Sequence, residues 1–540
     1  MSIARYVFLI HLFLLCCSGC ILAQDAYFVR FRDKGHSPYS LERPQEYLSE
    51  RALERRLRQQ IDIDSTDMPV TPAYLKQLTT AGGRVLYPLR WFNGAVVQAD
   101  ATAALAIAAL PQVMSVERVW QVSGIKGTKS TQDVIASSLA SYNYGSARQQ
   151  IEQLGGHRLH QQGFTGAGYV IAVLDAGFMN VDVHPAFDSM RVAGRLLGTR
   201  DFVNPQSNIY AENPHGAQVL STMAGLIPGQ MVGTAPRAQY WLVRTEDEVS
   251  EQPIEEYNWI AGAELADSVG ADVVNTSLGY NTFDDDSQSH SYADLNGQTT
   301  PITRGANMAA SKGMLMVVSA GNEGSNSWRY IAAPADSPDV LTVGAIDSQG
   351  GVTFFSSRGP AADGRLKPDV CAMGYGATVM QPGTSGLTSA SGTSFSGPIV
   401  AGLMACLWQA YPNLRPAELI DLVRSSASHY GKPNNDIGYG IPNFARAIGL
   451  SVPANMLDAE ALTVFPNPTH NMVSARLPLA HTATVQVAIA SPMGHLVHRQ
   501  NLMANQGILQ IELPSYMAQG VYMLSVAANG VTYVAKFIKL

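Results

Sequence analysis

The sequence predicts an α/β protein: a parallel sheet covered by helices on both faces, flanked by a small α+β unit and an all-β tail. Three observations predict it. Between about Ile151 and Leu450, the runs "YVIAVLD", "QYWLVRT", "ADVVNTSL", "GMLMVVSA" and "VLTVGAI" are apolar without polar alternation, as strands buried on both faces are. The stretches between them, such as Pro253 to Val269 and Pro301 to Lys312, are long enough for crossover helices. Before and after this region the texture changes, to mixed helix and strand patterns and then to short alternating strands.

The first segment carries an address. Arg5 precedes "YVFLIHLFLLCC", an apolar run of secretory-leader length and too short to span a bilayer comfortably. Ala23 supplies a small residue at a cleavage point, so residues 1–23 are expected to be a signal peptide. The small residues before Cys20 leave lipoprotein processing open. Three of the five cysteines lie in this leader, so the exported chain is not disulfide-stapled. Cys371 and Cys406 sit in apolar contexts and read as small core residues; a bridge between them stays open.

Residues 24–120 form the next unit. "AYFVRF" is a strand pattern, and "RPQEYLSERALERRLRQQ" a helix with Pro44 near its first turn and Glu54 and Arg58 paired at i,i+4. "RVLYPL", "NGAVVQA", an Ala-rich helix from Ala101 to Leu110 and "VMSVERV" complete a ferredoxin-like order. Residues 121–145 are rich in Ser, Thr and Gly and read as an exposed linker with a possible cleavage site. Residues 146–450 hold the parallel sheet. In residues 458–540, short strands alternate with turn signals at Asn467-Pro468, Met493-Gly494 and Asn529-Gly530, predicting a β-sandwich.

Composition agrees with several packed domains. A length of 540 residues suggests three or four. With 46% hydrophobic and 15% charged residues the chain builds substantial cores. A net charge of -7 and the absence of any basic block exclude a polyanion partner, nucleic acid included.

Chemistry gathers where such sheets bind ligands, at the carboxyl ends of the strands. Asp175 ends the run "YVIAVLD", and His215 opens the helix pattern "HGAQVLSTMAGLI". Asn322 follows "VVSAG", with an amide able to donate to an anion. In "SGTSFSGPIVAG", Ser394 stands at the start of an apolar helix, beside free backbone N–H groups and the positive end of the helix dipole. Each alone has a plainer reading, as a turn or cap residue.

Together, in the order Asp, His, Ser, these motifs resemble the subtilisin-like serine proteases, the subtilase family. "NTSLG" (Asn275 to Gly279), "SSRGPAADGRLKPDV" and "GYGIPNFARAI" extend the resemblance over about 300 residues. It implies Ser394 as nucleophile, His215 as general base and then acid, Asp175 as the residue orienting the imidazole, and Asn322 as an oxyanion donor with the Ser394 N–H. It also implies that Ser277, Leu278 and Gly279, with Ala320 and Gly321, border the substrate strand and its primary pocket. Departures are Ala217 where Thr is usual, Ala176 where Thr or Ser is frequent, and Phe395 in place of Met, which is expected to narrow the leaving-group side.

The flanks carry their own resemblances. "LSERALERRLRQQIDID" and "YPLRWFNGAVV" resemble the propeptide-like regions of exported Bacteroidota subtilases, which implies a zymogen; a permanently attached domain is the alternative. "VFPNPT", "MGHLV", "GVYMLSV" and the terminal "KFIKL" are similar to the sorting domain of type IX secretion cargo. The expected protein is thus a secreted or surface serine endopeptidase acting on proteins or peptides, with no transmembrane helix once mature. It needs no cofactor: calcium at Asp284 to Asp286 is less expected than an exposed acidic loop, because alternating ligand spacing is absent. The rival class, a noncatalytic surface binding protein on the same fold, is expected to have lost a catalytic residue, and all four are present.

Overall fold

The computed structural model describes residues 24–121, 142–449, 460–477, 482–490, 496–505, 507–528 and 531–540. The expected leader, most of the expected linker, and the turns at Met493-Gly494 and Asn529-Gly530 lie outside the described residues.

The N-terminal unit runs β1 (Asp25–Phe31), α1 (Glu50–Gln59), α2 (Pro72–Thr80), β2 (Arg84–Leu89), β3 (Gly94–Ala99), α3 (Ala101–Ala108) and β4 (Val113–Trp120). Its sheet is antiparallel in the order β2-β3-β1-β4, the ferredoxin-like arrangement. Two details differ from expectation. The helix does not begin at Pro44: a 3-10 turn at Pro44–Glu46 ends, and Ser49 caps α1 by accepting the Ala52 N–H at 3.2 Å. Glu54 is exposed and forms no ion pair with Arg58, because Arg58 reaches Asp272 instead, at 3.4 Å.

The central unit is built on β5 (Val170–Asp175), β6 (Leu196–Asp201), α4 (His215–Ala224), β7 (Gln239–Arg244), α5 (Ile254–Ser268), β8 (Val273–Thr276), α6 (Pro301–Ser311), β9 (Leu315–Ser319), β10 (Leu341–Ile346), β11 (Val370–Met373) and α7 (Thr393–Ala410). All seven strands are parallel, in the order β11-β10-β9-β8-β5-β7-β6. Every residue of β5, β8, β9 and β10 is buried, which is why their sequences do not alternate. One face packs on α4 and α7 through Val173, Val219, Leu220, Val400 and Trp408. The other packs on α5 and α6 through Leu174, Val274, Trp259 and Ile302, a core that also takes in Phe28, Tyr87 and Trp91 of the N-terminal unit. The N-terminal sheet therefore lies over α5 and α6, with Phe28 stacked on Tyr257 at 4.6 Å between ring centroids.

Charge joins the two units as well. Asp267 of α5 is fully buried and meets Arg55, Arg56 (2.8 Å) and Arg90 (2.6 Å), all from the N-terminal unit. Lys312, also buried, meets Asp64 and Asp67 at 3.2 and 3.1 Å. The chain leaves the unit at Gln121, whose N–H and C=O are both taken by the Gln252 amide, at 2.8 and 3.0 Å.

The C-terminal region is all β, with a five-stranded sheet and a three-stranded sheet. Val473, Ile511, Val487, Leu524 and Phe537 come from both sheets and share one core, the sandwich that alternation predicts. Cys371 and Cys406 are buried and, among the described residues, unpaired. Among the described residues no helix is long and apolar enough to cross a membrane.

Candidate active site

Asp175 is the last residue of β5, at the point where the chain order reverses across the sheet, and is fully buried. His215 is the first residue of α4, its N–H held by Asn213 Oδ1 at 2.7 Å. The two motifs carry glycines because they press together: a Cβ on Gly216 would stand 2.5 Å from the Gly177 carbonyl oxygen and 2.8 Å from Asp175 Cβ. That contact brings His215 Nδ1 to 2.7 Å from Asp175 Oδ1. A carboxylate can only accept here, so Nδ1 carries the proton and Nε2 is left as the acceptor.

Asp175 Oδ1 also accepts the Ala176 N–H at 2.9 Å, whereas Oδ2 is buried with no partner among the described residues. Burial alone would depress the imidazole pKa. The Asp175 charge and hydrogen bond, helped by Glu246 and Glu248, outweigh it and hold His215 at about 9. The same crowding acts on Glu246, whose carboxyl is pushed up to about 8 by burial and then by Asp175 and Glu251.

Ser394 is the second residue of α7. Pro398, inside that helix, has no N–H for the Ser394 carbonyl four residues back. Ser277 Oγ donates to that carbonyl instead, at 3.0 Å, and itself accepts from Asn275 Nδ2 at 3.1 Å. Ser319 Oγ likewise donates to the Thr393 carbonyl at 2.8 Å. The ends of β8 and β9 thus grip the first turn of α7. Ser394 Oγ donates to the Ser277 carbonyl at 3.2 Å. Asn322 Oδ1 accepts from both the N–H and the hydroxyl of Thr393, at 2.9 and 3.0 Å, which leaves its Nδ2 to face outward from that contact.

The structure brings together Asp175 and His215 directly, and Asn322, Ser277 and Ser394 through the first turn of α7. Leu278 and Gly279 continue from β8, and Ala320 and Gly321 from β9; Ala320 accepts the Ala332 N–H at 3.2 Å, and a Cβ on Gly279 would touch Ala332 at 3.1 Å. Phe395 is buried with its ring 6.0 Å from that of His215, so it packs on the imidazole. Asp284, Asp285 and Asp286 are exposed, and among the described residues the Asp285 carboxylate accepts from the N–H and hydroxyl of Ser287. Among the described residues no group of three or more His, Cys, Asp or Glu is arranged to hold a metal ion. Sequence reading did not single out Ser319, Glu246 or Arg244; the acidic run after "LVR" is the signal that marks the second.

A buried Asp–His pair and a serine at a helix start, at the carboxyl edge of a parallel sheet, are the groups that a hydrolase of the serine class uses. Residues 166–440 match the subtilase family, over half of the chain, and the chain belongs to that family. Residues 26–134 match the peptidase S8 propeptide domain of Bacteroidota, and residues 463–540 the secretion system C-terminal sorting domain. Among curated relatives, subtilisin E of Bacillus subtilis (strain 168) is 29% identical over 368 residues, 67% of this chain and 82% of its own. Subtilisin of Bacillus pumilus is 30% identical over 285 residues, 52% of this chain and 91% of its own. Serine protease AprX of Bacillus subtilis (strain 168) is 29% identical over 316 residues, 53% of this chain and 67% of its own. The protein is a subtilisin-like serine endopeptidase with a propeptide domain. Its sorting domain marks it as exported, secreted or held at the cell surface.

Proposed function

We propose that this endopeptidase hydrolyses peptide bonds through Asp175, His215 and Ser394 and an acyl-enzyme intermediate, and that it is made as a zymogen. The observation that carries the reading is the 2.7 Å bond between Asp175 and His215 next to the first turn of α7. Ser394 Oγ leaves the Ser277 carbonyl, gives its proton to His215 Nε2 and attacks the scissile carbonyl. Asn322 Nδ2 and the Ser394 N–H hold the oxyanion. His215 then protonates the leaving amine, and water repeats the cycle on the ester. Asp175 keeps the proton on Nδ1 throughout. The substrate strand lies along Ser277, Leu278 and Gly279, with Ala320 and Gly321 at the primary pocket. Catalysis by this route requires no cofactor.

The domain boundaries that accompany the reading are a signal peptide at 1–23, a propeptide at 24–120, a linker with the maturation site at 121–145, the peptidase at 146–450 and the sorting domain at 458–540. The type IX secretion machinery would be the partner of that last domain.

Fluorophosphonate labelling of the matured protein tests the site. We expect labelling and hydrolysis of a peptide substrate, both lost in Ser394→Ala. An unlabelled wild-type protein would overturn the reading in favour of a noncatalytic binding role. N-terminal sequencing and intact mass of the exported chain locate both processing events.

A further inference from the structure

Arg244 ends β7, between the two acidic strand ends: its register partners are Asp175 on β5 and Asp201 on β6. Its side chain is 8% exposed and holds three segments at once. Nε donates to the Ala176 carbonyl at 2.9 Å. Nη1 donates to Asp201 Oδ2 at 3.2 Å and lies 3.4 Å from Glu212 Oε2. Nη2 lies 3.6 Å from Asp247 Oδ1.

Each contact leads toward the Asp–His pair. Ala176 is the residue whose N–H holds Asp175 Oδ1, so the guanidinium fixes the next peptide along from that hydrogen bond. Glu212 precedes Asn213, whose Oδ1 receives the His215 N–H and whose carbonyl accepts the Met179 N–H at 3.3 Å. Asp201 is itself anchored by the N–H groups of Val203 and Asn204 at 2.8 and 2.7 Å, which makes it a fixed post. With Asp175 Oδ2 lacking a partner among the described residues, the carboxylate depends on these neighbours for its orientation. A planar guanidinium can serve several acceptors in fixed directions, whereas an ammonium offers a point charge on a flexible stem.

We infer that Arg244 is a positioning residue for catalysis, tying the turn after Asp175 to the segment that leads into His215 and so holding their hydrogen bond in register. The inference rests on the triad reading above.

The test uses the full-length chain, matured with an added protease, repurified and active-site titrated. Arg244→Met should lower kcat at least tenfold while KM stays within about twofold, the pattern of a lost transition-state contact. Arg244→Lys should recover part of kcat. Because it conserves the charge, a fall of its acid pH limb toward the ordinary imidazole value reports geometry alone. Wild-type kcat and pH profile in folded Arg244→Met would overturn the inference. So would full recovery of both by lysine, since the role would then be charge. Should Arg244→Met fail to fold, Glu212→Gln at the half-buried end of the tie decides: a severalfold loss of kcat at unchanged KM is expected, and wild-type kcat overturns it. Asp175→Asn separates the two readings: if it retains activity the triad reading fails, and if it is inactive while the Arg244 variants are not, only the positioning role fails.

Discussion

The two ends of the parallel sheet are made of the same strands and do opposite things with charge. At the amino ends, Asp272 accepts the Val170 N–H at 2.9 Å and is paired with Arg51 and Arg58; Arg55 reaches the carbonyls of Ala271 and Lys312, and Gln59 that of Gly313. Every one of those side-chain donors comes from α1 of the propeptide domain. At the carboxyl ends, among the described residues, Asp175 is served by one imidazole and one N–H, its second oxygen is left over, and Ser394 rests on a backbone carbonyl. Saturating a buried charge anchors one unit on another. Leaving polar groups short of partners keeps them ready for a substrate.

The largest effect should come from the sparse end. Asp175→Asn should cut kcat by about 10⁴, because the imidazole is then held in the wrong tautomer; a loss under tenfold, by steady-state kinetics, would mean that the chemistry is elsewhere. Asn322→Ala should cost about 10²–10³ in kcat with KM little changed, a magnitude belonging to subtilisin's own oxyanion asparagine. At the saturated end, Asp267→Asn should leave catalysis by the matured enzyme near wild type but weaken the hold of the propeptide. Three arginines lose a buried partner there, at a cost of about 3–5 kcal/mol. A lower first thermal transition in the Ser394→Ala precursor is the measurement, and an unchanged transition would break the contrast between the two ends. The smallest effect concerns pH. In the proposed mechanism His215 accepts a proton only when neutral, so activity should fall as pH drops through its raised pKa. Glu246 is among the groups raising it, so Glu246→Gln should move the acid limb of the kcat profile down by less than a unit, read from pH–rate curves.

Much of this fold is legible in the sequence itself. The five apolar runs are five strands of the sheet, and the two proposed crossover helices are α5 and α6. The strands that went unread lie at the edges. Leu196–Asp201 has one buried residue in six, and the buried Val370–Met373 reads VCAM, with a single β-branched residue, so neither carries a fully developed strand signal. Helix α2 also went unread, since only Leu78 of its nine residues is buried and its periodicity is weak. On α1 the spacing predicts a Glu54–Arg58 pair on a charged face. Arg55 and Arg56 are instead buried, because Asp267 waits more than two hundred residues away.

What the sequence by itself determined is local and periodic: which runs are buried on both faces, where the crossover helices lie, and which residue types stand at strand ends and helix starts in the order Asp, His, Asn, Ser. These follow from side-chain polarity and backbone preference within a few residues. Only the tertiary structure decided which distant groups meet. It set Gly216 against Gly177 so that Asp175 and His215 bond, turned Ser394 toward Ser277, and closed three arginines on Asp267 and Arg244 on three separate segments. The reason is physical: a charge pair or a close backbone approach is a property of two places on the chain, and no pattern confined to one of them encodes the other.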